Sequence, residues 1–228
     1  MPAAASFGAF IKTPSVVKTK PIVFIVDDDI SVRESLEALV ADCGWRPVVF
    51  ASAEEFLVHP RPRSPSCLLL DVSLPDLNGL EVQRRVGGER TEMPIIFITG
   101  HGDIPMTVRA MKAGAAEFLT KPFTDEVLLS AIRSALERSR TSLDELAGLQ
   151  ALRERHESLS SRERQVLALV VRGRLNKQIG GELEISEITV KAHRGRVMRK
   201  MHAKSLAELV NMAAQLGLET AGKPQQKI

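Results

Sequence analysis

The stretch PIVFIVDDDISVRESL, Pro21 to Leu36, decides the fold of this 228-residue chain. Ile22 to Val26 form an unbroken apolar run, the pattern of a strand covered on both faces, and three carboxylates, Asp27, Asp28 and Asp29, follow at its carboxyl end. Negative charge so concentrated beside a buried strand has to be offset. Downstream, Val32, Leu36, Leu39 and Val40 recur at helical spacing and Gly44 supplies the stop.

The alternation continues. PVVFAS reads as a strand, AEEFLVH as a short helix, CLLLDV as a strand ending in Asp71, and GLEVQRRV as a helix. PIIFITG, PMTVRAMKAG, AEFLTKPF and DEVLLSAIRSALERSR repeat the order. Strand and helix in succession predict an α/β fold, a doubly wound parallel five-stranded sheet over residues 20 to 138. Ligand sites in such sheets lie outside the carboxyl ends of the strands, where Asp27, Asp28, Asp71, Thr99 and Lys121 all fall. Clustered carboxylate oxygens suit a hard divalent cation such as magnesium; the plainer alternative is a set of surface aspartates in turns. Lys121 precedes Pro122, which biases it toward extended geometry and favours an ammonium held in the cleft.

Composition narrows the class. The chain is 44% hydrophobic with a mean hydropathy of -0.02, and no apolar run approaches the ~18 residues of a membrane span. Residues 1–19 lack a basic start followed by a long apolar core, so they read as a flexible tail rather than a signal peptide, and residues 218–228 as a second tail. Cys43 and Cys67 show no metal-ligand spacing, which favours a reducing, cytoplasmic setting. Residues 20–138 carry 13 cationic and 18 acidic side chains, whereas residues 139–228 carry 16 and 10, so only the second half is expected to meet nucleic acid.

Leu143, Leu146, Leu149 and Leu152 continue at mostly helical spacing, so residues 139–158 read as a helical linker, either straight or bent near Thr141 or Gly148. In residues 159–217 a helix starts near Ser161, with Val166, Leu167, Leu169 and Val170 on its apolar face. NKQIGGELE opens at Asn176, Ile185 and Ser186 make a turn, and EITVKAHRGRVMRKM follows: two short helices about a tight turn predict an all-α helix-turn-helix domain. The last helix carries Lys191, Arg194, Arg196, Arg199 and Lys200, with Val190, Val197 and Met201 available for the core. Its cations either face a duplex or form a solvated surface.

Residues 20 to 138 resemble the receiver domain of two-component response regulators, through Asp27 and Asp28, LLLDVSLPDLNG with Asp71, FITG with Thr99, and FLTKPF with Phe118 and Lys121. GHGDIPMTVRAMKAGA is similar to the FixJ-like branch, and Gly100 after Thr99, where alanine is frequent, fits that branch. The resemblance implies that Asp71 is the phosphoacceptor. Asp28, Asp71 and the Ser73 carbonyl would hold magnesium directly, with manganese as the alternative ion and Asp27 acting through water. Lys121 would pair with the phosphoryl group, Thr99 would donate a hydrogen bond to it, and Phe118 would turn inward as the switch aromatic; an ordinary core aromatic is the alternative for Phe118.

LSSRERQVL, NKQIGGELEIS, TVKAHRGRVMRKM and KSLAELV resemble the LuxR-type helix-turn-helix domain. That likeness implies a recognition helix from Glu187 to about Met201, with Thr189, Lys191, His193, Arg194 and Arg196 toward double-stranded DNA. Asn176 and Lys177 would touch the DNA backbone, and Glu163 would organise the scaffold through a salt bridge. The family usually has alanine in place of Gly180, and Gly180 and Gly181 together should each cost roughly 1 kcal/mol of helix stability.

The implied function is a transcription regulator, not an enzyme. A sensor histidine kinase would phosphorylate Asp71, promoting a homodimer that activates promoters, with RNA polymerase as a further partner and no membrane association. Two rivals remain at this point: a magnesium phosphatase or kinase built on the same carboxylates, and a DNA-binding protein whose first half is a phosphate-independent dimerisation platform.

Overall fold

The computed structural model describes residues 20–218 apart from Asp76 and residues 101–103. The tail expected at residues 1–19, that expected at 218–228 beyond residue 218, and His101 to Asp103 of the FixJ-like segment lie outside the described residues. Contacts divide the chain between Ser142 and Leu143 into two compact units.

In the first unit five parallel strands, β1 (Ile22–Val26), β2 (Arg46–Phe50), β3 (Ser66–Asp71), β4 (Ile95–Thr99) and β5 (Glu117–Thr120), pair in the order β2-β1-β3-β4-β5. The apolar runs read from sequence are the three central strands, and every residue of β1, β3 and β4 is buried. Alternation along the strands divides the core. Phe24, Val26, Leu68, Leu70 and Phe97 join Phe56, Val82 and Val86 on one face, which is covered by α2 (Ala53–Leu57), α3 (Gly79–Glu89) and α4 (Ile104–Lys112). Val23, Ile25, Leu69, Ile96 and Ile98 join Leu36, Val40, Leu128 and Ile132 on the other, covered by α1 (Ile30–Asp42) and by α5 (Asp125–Glu157) within this unit. Each such aliphatic or aromatic side chain removed from water contributes about 1.5–3 kcal/mol. The doubly wound α/β sheet is therefore as the sequence predicts.

The 33-residue helix α5 crosses the division between the units without a break at Thr141 or Gly148. In the first unit Ser139 is buried on α5, where its hydroxyl accepts a hydrogen bond from the Ser66 amide at 3.0 Å and ties the start of β3. In the second unit Leu152 joins a separate core.

That core is all-α. Helices α6 (Ser161–Val171), α7 (Asn176–Leu183), α8 (Glu187–Met201) and α9 (Leu206–Gln215) bury Val166, Leu167, Val170, Ile179, Val190, Val197, Met201 and Leu209 among themselves. Ser160 and Glu163 form a reciprocal capping box at α6, while Ser186 and Ser205 cap α8 and α9. The Glu163 carboxylate also receives the Lys200 ammonium at 2.7 Å, and that ammonium donates in addition to the Ser158 carbonyl at 3.0 Å. The salt bridge expected of Glu163 is thus a tie between α6 and α8. Hydrogen bonding from Lys200, followed by that from the Ser160 amide, lowers the Glu163 carboxyl to about 2 despite its burial.

The structure corrects the reading of the two glycines in α7. Glu184 ends the helix in a left-handed conformation, and the turn folds back so that the Ile185 amide donates to the Gly180 carbonyl at 3.0 Å. A Cβ on Gly180 would lie 2.7 Å from the Ile185 carbonyl oxygen, whereas one on Gly181 would meet nothing within 4 Å. A side chain at Gly180 would require this turn to shift, whereas Gly181 is a plain loss of helix propensity.

Gly181→Ala is accordingly expected to raise stability by about 1 kcal/mol in denaturant unfolding of the full chain, and Gly180→Ala to lower it. A second expectation concerns acid. Because the folded-state value of Glu163 is depressed, its stabilisation is present above the ordinary glutamate range and is lost as pH falls toward about 2. Glu163→Gln keeps the cap acceptor but not the charge, so the stability difference between native and variant should shrink over that interval, as read by unfolding curves at successive pH values.

Candidate functional site

Strand register creates the first site. Val26 pairs with Leu70, so the next residue on each strand, Asp27 on one and Asp71 on the other, emerges beside its neighbour where the chain changes direction between β1 and β3. Asp71 in turn pairs with Ile98, placing Thr99 one step beyond it on β4, and Thr99 pairs with Thr120, which delivers Lys121 from β5. The Lys121 amide donates to the Thr99 carbonyl at 2.8 Å, and the Lys121–Pro122 peptide bond is cis.

The three consecutive aspartates divide their work. Asp27 and Asp28 join Asp71 in a cluster whose oxygens lie within 4.8 Å of one another. Asp29 turns away and caps α1, accepting from the Ser31 amide at 2.8 Å and its hydroxyl at 2.6 Å. The Lys121 ammonium sits 3.1 Å from Asp27 and 3.3 Å from Asp71. Burial raises the Asp27 carboxyl above its ordinary value, against the lowering by the Asp29 amide and Lys121. Burial also opposes charge on Lys121, but the hydrogen bond and charge of Asp27, with those of Asp71, overcome it and leave the ammonium above its ordinary value.

One ammonium against three carboxylates leaves a formal charge of -2, and the donors are all hard oxygens. That set fits a divalent cation of the magnesium type. Asp27 is nearly enclosed, Asp71 lies at the edge of burial and Asp28 is exposed, so the cluster opens toward solvent on the Asp28 side. Thr99 is fully buried, and Phe118 is half-buried with its ring 6.0 Å from that of Phe97.

Two residues at the site fall outside the sequence reading. The Arg33 guanidinium donates to the Asp27 carbonyl at 2.6 Å. Gly79 presses against the Asp71 backbone, where a Cβ would meet the Asp71 carbonyl oxygen and the Val72 Cα at 3.0 Å. The signal for Gly79 was present in the glycine that closes LLLDVSLPDLNG; nothing local marked Arg33. The Ser73 amide donates to Asp71 at 2.8 Å and orients the carboxylate.

The second candidate site is α8. Lys191 and Arg196 stand on its exposed face with Ile188, Ala192, Gly195 and Arg199. Thr189, His193 and Arg194 are half-buried. The Thr189 hydroxyl lies 2.8 Å from that of Ser186, the Arg194 guanidinium donates to the Asn176 side chain at 2.7 Å, and the His193 Nδ1 is enclosed without a partner. Asn176 and Lys177 open α7, so Asn176 is joined to α8 through Arg194 while Lys191 and Arg196 are not part of that link. Lys200, counted among the helix cations from sequence, turns inward to Glu163.

Comparisons with known proteins find a family match for each half of the chain. Residues 23–133 match the response regulator receiver domain, and residues 157–213 the luxR family of bacterial regulatory proteins. Nodulation protein W of Bradyrhizobium diazoefficiens is 49% identical over 210 residues, covering 92% of either chain. Response regulator protein TodT of Pseudomonas putida is 48% identical over 195 residues, covering 86% of either chain. Among solved structures, response regulator StyR superposes with a TM-score of 0.77 at 47% identity, covering 86% of this chain and 100% of StyR.

Magnesium added to the full chain is expected to raise the temperature of its thermal unfolding in a concentration-dependent manner. Asp28→Asn, which removes charge from the exposed side of the cluster, should weaken that increase in the same melting experiment.

Proposed function

We propose, for a chain that belongs to the response regulators joining a receiver domain to a LuxR-type DNA-binding domain, that Asp71 accepts the phosphoryl group controlling DNA binding by residues 159–217. Phosphorylation-coupled DNA binding that regulates transcription follows from the family. The assignment of Asp71 rests on one observation above all: the convergence of Asp27, Asp28 and Asp71, with the Lys121 ammonium paired to Asp27 and Asp71.

A sensor histidine kinase is the proposed donor. An Asp71 carboxylate oxygen attacks the phosphorus of the donor's phosphohistidine, an O–P bond forms, the P–N bond breaks, and its electron pair leaves on the imidazole. Asp27, Asp28, Asp71 and the Ser73 carbonyl would hold magnesium, or manganese in its place, and the bound ion supplies positive charge to the phosphoryl oxygens. Lys121, already within hydrogen-bond distance of Asp71, redirects the hydrogen bond it donates from the carboxylate to a phosphoryl oxygen. Gly79 and the Ser73 amide hold the Asp71 backbone and carboxylate in place for the attack.

The product adds about two negative charges and three strong acceptor oxygens beside Thr99. The Thr99 hydroxyl donates to one of them, and the space it leaves is taken by Phe118 turning toward Phe97. This rearrangement favours a homodimer whose two reader domains engage paired DNA half-sites, so that modest single-site affinities multiply. Asn176, Lys177, Thr189, Lys191, His193, Arg194 and Arg196 carry the DNA contacts, with Arg194 also tying α8 to the start of α7 through Asn176. Promoter activation through RNA polymerase is the proposed outcome.

Intact-mass spectrometry of the full chain with magnesium and a small phosphoryl donor should show the gain of one phosphoryl group. Asp71→Ala should lose it entirely. Retention of the modification in that variant would remove the proposed acceptor.

A further inference from the structure

We infer that Ile188 reads a thymine methyl group in the major groove of the target DNA, on a stripe with Ala192 and Gly195 that brings the α8 backbone against the base edges. The inference rests on the DNA-binding reading and names a specificity determinant within it.

Ile188 is 80% exposed in the first turn of α8. Val190, Val197 and Met201 fill the core from the opposite face, so the domain has no packing use for Ile188. A helix of 3.6 residues per turn places Ile188, Ala192 and Gly195 within roughly 60° of one another about the axis. Lys191 flanks this stripe on one side and Arg196 on the other, both exposed. An apolar centre bordered by cations fits poorly against an apolar protein surface, where the ammonium and guanidinium would lose water without gaining partners. It fits a groove with phosphates along its walls and, on its floor, the one apolar substituent that a base offers there, the thymine C5-methyl.

Gly195 adds an independent observation. A Cβ at Gly195 would meet nothing within 4 Å, unlike Gly180, so the fold itself does not require glycine there. A glycine in a helix interior lowers helix stability, and the missing side chain instead lets another surface approach the backbone closely. With alanine at 192, the stripe is low between Ile188 in the first turn and the exposed Arg199 in the last, and Ile188 projects as its single large apolar contact.

The test uses the full chain treated with magnesium and a small phosphoryl donor. Enriched duplexes are selected from a randomised double-stranded library, and each thymine of the recovered site is then replaced by uracil, which removes only the methyl group. For the native protein, uracil at one position of a single half-site should weaken binding about fourfold, the worth of one buried methyl group. Ile188→Ala should bind the thymine and uracil duplexes equally. Gly195→Ala should unfold at a higher temperature yet bind the selected duplex more weakly, a combination that a purely structural role would not produce. Indifference of the native protein to uracil at every position, the same thymine preference in Ile188→Ala, or full affinity in Gly195→Ala would each overturn the inference while leaving DNA binding intact. Failure of the native protein to enrich any sequence would instead remove the DNA-binding reading on which it stands.

Discussion

A buried strand cannot end in like charges side by side unless a counter-charge arrives with them, and in the receiver unit that counter-charge is Lys121. Its ammonium comes from β5, at the far edge of the sheet, to carboxylates that leave β1 and β3 near the middle. Parallel register through β4 is what aligns these donors, so the core packing on both faces of the sheet serves the site as much as the stability of the fold. One ammonium offsets only part of the charge. The remainder makes the cluster a place for a divalent ion and, with it, an incoming phosphoryl group.

Three glycines show how backbone contact and chemistry are separated. Gly79 and Gly180 each occupy a place where a methyl group would strike a carbonyl oxygen, at the Asp71 loop and at the turn before α8 respectively. Gly195 has no such neighbour. The first two hold a site in shape from within, and the third leaves room for something from without.

Much of this was legible before the structure. The apolar runs ending in Asp27, Asp71 and Thr99 carried both the strand assignments and their common end, because a buried parallel strand and a ligand site at its carboxyl terminus are local patterns. The turn at Ile185 and Ser186 between α7 and α8 was legible for the same reason. What escaped was tertiary. Gly180 and Gly181 are indistinguishable by helix propensity, and only the return of Ile185 onto Gly180 separates them. Glu163 advertised a salt bridge, but Lys200, 37 positions away, looked like one more cation for a duplex until the packing of α6 on α8 turned it inward. Arg33 gave no sign at all that its partner would be a carbonyl at the end of β1.

The inward turn of Lys200 has a bearing on how DNA binding responds to ionic strength. Each phosphate neutralised by a protein cation releases condensed counterions and adds about 0.9 to the logarithmic salt slope. A cation already matched by Glu163 would contribute little to that release, which would leave Lys191, Arg194, Arg196 and Arg199 as the α8 charges setting the slope in the proposed complex. In the proposed complex, association through this helix would be less sensitive to salt than its sequence suggests, and a larger share of its affinity would come from contacts that carry no charge.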